Sequence, residues 1–323
     1  MLLTFFANDH SLTPLLQGAE CNECPAAYLE IAGKPLIIHN IDVANRALKG
    51  KITDVAIPQK FKSAIEIIKG QYRSVDVIEL DDYESSKRLD FIKDNSSATD
   101  VSSGLFQLPI NSIVRSSSFS SSTHSDADNN NSNVTVDLIT YPWDFLAAIQ
   151  NLLRETITTT YISPTAKVSK TCIIEGPCII EDNVVLDDFC KIKGPCYIGQ
   201  GSLVGMCSLV RGSMLGKNTR IGFNCEVAKS FFSGDAKISH QNVILDSVIG
   251  KNVWFGGYSA TANVLLTRGN VKYQIGGILC DTGTDHFGAV VGNNSSIGAY
   301  VLILPGRQIP PNSMIQAGTI VRN

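Results

Sequence analysis

The sequence predicts an α/β domain followed by an all-β domain, a parallel β-helix of hexapeptide repeats. Three observations carry that prediction. An apolar, mostly branched residue returns at every sixth position through 162–321, a small residue stands two positions before most of these, and residues 1–80 alternate strand and helix patterns.

Taken in order, Leu2 to Phe6 is a short apolar strand. Residues 35–48 place Ile37, Ile41, Ala44 and Leu48 on one helical face, with Pro35 suited to the first turn and Gly50 beyond the end. Ile52 to Ile57 and Val75 to Leu80 read as two further strands, separated by a helix that carries Ala64, Ile65 and Ile68. This β-α-β-α-β order is the kind of unit that builds a parallel sheet for nucleotides.

The pattern then stops. Residues 95–133 are rich in Ser, Asn and Asp, with too few apolar groups to offset the entropy of ordering, which predicts a disordered loop. Val134 to Tyr141 resumes as a strand, and after Pro142-Trp143-Asp144 a helix sets Phe145, Ile149, Leu152 and Leu153 on one face. The expected division is an α/β domain over 1–94, the loop over 95–133, a strand and linking helix over 134–158, and the β-helix over 159–323.

In that last part Ile162, Val168, Ile174, Ile180, Leu186, Ile192, Ile198, Val204 and Val210 keep the six-residue period without a slip. Five-residue steps enter from Leu215 to Phe255, and Val291 to Val321 restores the period after an interruption. Neither a helix nor an ordinary strand has this repeat. A large and a small inward group followed by a flexible corner describe a short flat strand and a tight turn. Three such sides close a triangular coil, and coils stack about 4.8 Å apart through backbone hydrogen bonds. A β-helix expels a loop only at a corner, so the polar stretch 257–287 predicts a protruding loop that either binds a ligand or contacts a neighbouring subunit. Arg307 falls where a small inward group belongs, which predicts a corner distorted or turned outward.

Composition limits the partners. A net charge of −3 over 323 residues argues against nucleic-acid binding. No run of eighteen apolar residues is present, and MLLTFFANDH lacks a basic leader, so no membrane span or signal peptide is expected and the expected location is cytoplasmic. Cys172, Cys178, Cys190, Cys196 and Cys225 take the small inward slot, where thiols act as compact hydrophobes. Cys21 and Cys24 have the spacing of half a zinc site or of a redox dithiol; no second pair or C-x-x-H completes a site, and no metal is expected.

Gly33-Lys34-Pro35-Leu36-Ile37, the Pro142-Trp143-Asp144-Phe145 helix and the repeat domain, in that order, resemble sugar-phosphate nucleotidyltransferases with a C-terminal hexapeptide domain. Nearest in pattern are the bifunctional N-acetylglucosamine-1-phosphate uridyltransferase/glucosamine-1-phosphate acetyltransferases and archaeal sugar-1-phosphate nucleotidyltransferases. The resemblance implies a truncated Rossmann-like nucleotidyltransferase domain, a left-handed β-helix, a homotrimer, acetyl-CoA as co-substrate and a sugar phosphate as acceptor. The first domain departs from the family. Phe6 to Leu15 has no glycine where a glycine-rich loop cradles phosphates, Ser11 stands near the family's arginine, and Pro25-Ala26 replaces its proline-lysine pair. Nucleotidyl transfer is therefore expected to be lost.

The repeat domain keeps more of the family's pattern. The resemblance puts His240 in the place of the general base that accepts the amine's proton, Arg211 on the phosphate-binding arginine and Asn263 on an asparagine contact. Arg268 and Lys272 lie near enough to stand in for the lysine of the protruding loop. Val243 replaces the family's tyrosine and Trp254 its asparagine. Two readings follow: acyl-CoA-dependent transfer to an amino-sugar phosphate in nucleotide-sugar biosynthesis of the UDP-N-acetylglucosamine type, or a non-catalytic homologue that regulates or assembles with an active paralogue. In the second, His240 is only a solvent-exposed corner residue.

Overall fold

The computed structural model describes residues 2–6, 30–31, 34–47, 54–58, 62–72, 75–80, 99–100, 105–109, 112–116, 134–139, 141–275 and 277–322. They fall into two compact units, divided on the main chain between Thr140 and Tyr141. The C-x-x-C pair, residues 7–15, Pro25-Ala26 and the Ser/Asn run at 117–133 lie outside the described residues.

In the first unit β1 (Leu2–Phe6) starts the sheet, and the short β2 (Glu30–Ile31) and β3 (Lys34–Pro35) pair with each other. Helix α1 (Leu36–Ala47), β4 (Asp54–Pro58), α2 (Lys62–Gln71) and β5 (Asp76–Leu80) follow in the alternation read from the sequence. The sheet order is β5-β4-β1-β7-β6, where β6 is Thr99–Asp100 and β7 is Leu105–Pro109. Strands β5, β4, β1 and β7 run parallel, and β6 is antiparallel to β7. Leu36, Ile37, Ile41 and Ala44 of α1 and Ile65 and Ile68 of α2 are buried, the periodic positions that packing against a sheet requires.

The expected disordered loop at 95–133 does not hold over its described part. Strand β7 pairs along its whole length with β1, and β8 (Ser112–Ser116) forms an antiparallel hairpin with β9 (Val134–Leu138). Leu105, Phe106 and Leu108 make a short apolar run that the surrounding serines mask in the composition, and β7 takes its place in the sheet between β1 and β6.

The second unit is a parallel β-helix of three eight-stranded sheets. The first face starts at Tyr161–Ile162, the second at Lys167–Val168 and the third at Ile173–Glu175. Like residues stack in register from coil to coil, as Cys178 on Cys196 and Ile180 on Ile198. The repeat apolar residues and Cys178, Cys190, Cys196 and Cys225 fill one continuous core. A fixed stacking interval forces the glycines: a Cβ on Gly222 would lie 2.4 Å from the Ser239 carbonyl oxygen of the next coil. Left-handed corner positions fall repeatedly on asparagine, at Asn183, Asn218, Asn252, Asn294 and Asn312, the residue that best tolerates positive φ after glycine.

Helix α3 (Pro142–Thr156) belongs to this unit. Its N-terminus is set by Pro142 at the first position and by the Asp144 carboxylate, which accepts the Tyr141 N–H at 2.9 Å. Phe145 meets Phe231 edge to face at 4.8 Å, and Gln150 Nε2 donates to the Gly212 carbonyl at 2.8 Å. The helix thus lies on the first face, where the outward residues Tyr197, Met214, Phe231, Val248 and Val290 are all buried.

The protruding loop starts later than expected, because Ala260–Thr261 still belongs to the third face. It leaves after Thr261 and returns at Ala289–Val291. Between them Lys272–Ile275 and Ile278–Asp281 pair as a hairpin arm. Its base packs on its own chain: Val271, Tyr273 and Phe287 are buried, and Trp143 of α3 meets Tyr273 at 5.7 Å and Phe287 at 6.2 Å. The return is so tight at Gly288 that a Cβ would lie 2.1 Å from the Leu245 oxygen. Arg307 turns outward, as one alternative at that corner required. It occupies the last described coil of the first face, and its guanidinium donates to the carbonyls of Arg322, Pro305 and Lys272.

Candidate active site on the β-helix

Two corners border the third face, and the sequence-predicted residues divide between them. His240 lies at the corner between the second face, which ends its strand at Ile238, and the third, which begins at Val243. Its imidazole is exposed and makes no hydrogen bond or ion pair among the described residues. Its carbonyl accepts from Tyr258 N, and Gly257 O in turn accepts from Tyr300 N, so Gly257 and Ala299 follow His240 along the axis. These residues are too small to fill the space next to the imidazole. Tyr258 and Tyr300 stack at 4.8 Å and 3° beside them, 53% and 64% exposed. Met206 and Phe223 precede His240 in its own column and Phe189 lies in the adjoining tyrosine column, all three as exposed apolar groups. Val243 and Trp254 flank His240 on the third and second faces and are also exposed.

Arg211 lies at the other corner, between the third and first faces. It registers with Ala228 and, one coil further, with Leu245, five residues past His240. Arg211 and His240 are therefore two coils apart at opposite edges of one face, and this chain does not bring them to one corner. Arg211 Nη2 and Nε donate to Glu226 Oε1 at 2.9 and 3.2 Å. This half-exposed pair is worth little in stability, yet it fixes the guanidinium. On the next coil Lys229 follows Ala228, its N–H donating to Arg211 O at 2.9 Å, and its exposed ammonium has no partner among the described residues. Sequence reasoning gave Lys229 no role, although it directly follows Ala228, the residue one coil on from Arg211.

Asn263 stands along the same corner at the root of the arm, its Nδ2 donating to Asp246 Oδ2 at 2.6 Å and its carbonyl accepting from Phe287 N. Arg268 is exposed on the arm at φ +57°, and Lys272 is exposed on the hairpin. Asp285 accepts or shares a proton with His286 Nδ1 at 2.7 Å, which holds its carboxyl below the ordinary range. The inward thiols differ, since pairing with Cys190 lowers Cys172 and pairing with Cys196 lowers Cys178. Pairing with Cys172 and then burial push Cys190 up, and burial raises Cys225. Among the described residues no cluster of His, Cys, Asp or Glu could hold a metal ion, and no helix is long and apolar enough to cross a membrane.

Fold and repeat together define a hexapeptide-repeat β-helix protein, with His240 and Arg211 at the two edges of one face. More particularly, residues 156–254 match the family described as the GMPPB C-terminal domain. YaiX of Escherichia coli, an uncharacterized acetyltransferase, is 33% identical over 102 residues, 32% of this chain and 44% of that protein. A bifunctional sugar-1-phosphate nucleotidylyltransferase/acetyltransferase of Sulfurisphaera tokodaii is 34% identical over 102 residues, 32% of this chain and 25% of the relative. The bifunctional protein GlmU of Methanococcus vannielii is 33% identical over 101 residues, 31% and 24% of the two chains. The chain thus matches less than half the length of each of these relatives. Among solved structures, PerB from Caulobacter crescentus with CoA and GDP-perosamine aligns over 99% of this chain and 92% of its own at 10% identity and a TM-score of 0.23, a likeness too loose to carry an argument.

Proposed function

We propose that the β-helix transfers an acyl group from acetyl-CoA to an amine on a sugar phosphate or sugar nucleotide, in nucleotide-sugar biosynthesis of the UDP-N-acetylglucosamine type, with His240 as general base. One observation carries this reading: an exposed, unpartnered imidazole beside the open space over Gly257 and Ala299. The amine nitrogen attacks the thioester carbonyl, so a C–N bond forms as the C–S bond breaks. His240 takes the proton that nitrogen sheds and returns it to the departing thiolate. Arg211 and Lys229 hold the acceptor's phosphate by charge-assisted hydrogen bonds, with Asn263, Arg268 and Lys272 as further contacts.

Because Arg211 and His240 occupy opposite edges of one face, the complete site forms between copies in a homotrimer. The exposed aromatic column beside His240 supports this arrangement. Incubation with acetyl-CoA and a panel of amino-sugar phosphates and sugar 1-phosphates, read by released thiol, tests the transfer. Thiol release with one acceptor is expected, and none with any acceptor overturns the reading. Light scattering at micromolar concentration tests the trimer, and a monomer removes the shared site.

A non-catalytic partner of an active paralogue is the second reading. It is favoured by the Glu226 carboxylate that already occupies Arg211 and by apolar Val243 and Trp254 beside His240. In both readings the protein works in the cytoplasm and the first unit has lost nucleotidyl transfer. Calorimetric titration with UTP, dTTP and GTP in Mg²⁺ should then show weak or no binding, and a micromolar constant restores that activity.

A further inference from the structure

We propose that the cleft between the hairpin arm and the last coil binds a ligand bearing a diphosphate ester. The cleft consists of two adjoining hollows of about 470 and 310 Å³ that share Arg307 and Leu279 as a wall. Lys272 lines the first and Arg322 the second. The guanidinium between them is positioned in advance: Arg307 Nη1 donates to Pro305 O at 3.2 Å and Lys272 O at 3.4 Å, and Nε donates to Arg322 O. All three acceptors are neutral carbonyls, and among the described residues no carboxylate pairs with this guanidinium.

Lys272 and Arg322 form no ion pair among the described residues, and Asp281 is the single carboxylate of the lining. Three cations against one anion is a local excess in a chain whose net charge is −3. A separate cation in each hollow, with a fixed guanidinium between, matches two linked phosphates better than one. Leu265, Leu279 and Pro305 supply an apolar wall for the organic remainder of the ester. The cleft lies at the third-to-first corner and His240 at the second-to-third, so in one chain this site is separate from the general base.

Calorimetric titration of the full chain with ADP, CoA and adenosine tests the proposal, with Lys272→Gln/Arg322→Gln as the variant. Both replaced residues are exposed, which leaves the fold in place, and circular dichroism checks this. Binding of ADP or CoA without adenosine is expected, weakening with salt. Each lost cation should weaken it roughly ten-fold, the weight of a charge-assisted hydrogen bond. The tighter of ADP and CoA distinguishes a nucleoside diphosphate from the acyl donor. The readout is binding alone, so it stands if acyl transfer fails, and His240→Ala should leave it unchanged. Absence of binding by both esters, equal binding of adenosine, or unchanged affinity in the variant overturns the site.

Discussion

Phe231 offers a decisive test of how the second unit is built. The repeat directs Phe232 into the core and Phe231 outward, where truncation of an exposed side chain would cost within about 0.5 kcal/mol. In the structure Phe231 is fully buried, because α3 lies on that face and Phe145 meets it at 4.8 Å, edge to face. Truncation then removes a whole buried ring, and the stacked strands on either side hold the backbone too firmly for the hole to close. Phe231→Ala should cost about 3 to 5 kcal/mol. Phe145→Ala, at the facing position, should cost a comparable amount. The double variant should lose less than the sum by about 0.5 to 1.5 kcal/mol, the direct ring interaction. Urea denaturation followed by circular dichroism measures all four corners of the cycle. A loss under about 1 kcal/mol for Phe231→Ala, or strict additivity, would refute the placement of α3 on the first face.

Three further outcomes follow. His240→Ala should lower kcat by about 10² to 10⁴ with the fold intact, the usual contribution of a general base; full acyl transfer by the variant removes the assignment. Arg211→Ala should chiefly raise KM, whereas Glu226→Gln, which frees the guanidinium, should lower it; no response to either variant places the phosphate elsewhere. At pH 8 a maleimide should label exposed Cys207 while leaving Cys190 and Cys225 unmodified, since a raised pKa suppresses the thiolate until higher pH and burial blocks the reagent. Rapid modification of Cys225, measured by peptide mass spectrometry, would contradict the packed core.

The sequence by itself determined the β-helix, because each coil buries its large and small groups only against its neighbours, a local rule that must repeat in the chain. It determined the inward cysteines for the same reason, and the β-α-β-α-β order of the first unit from helix and strand periods. It also led to His240, Arg211 and Asn263 through resemblance. Only the tertiary structure decided which corner each of them takes, since a repeat of six assigns a residue to a turn without saying which side chains cross a face together. Tyr197, Met214, Phe231 and Val248 look like ordinary outward positions until a helix from another part of the chain covers them. Strand β7 was hidden because its partner β1 lies a hundred residues earlier, and no local composition records a long-range pairing. The same holds for the cleft, where Lys272, Arg307 and Arg322 line two adjoining hollows only because the arm folds back over the last described coil.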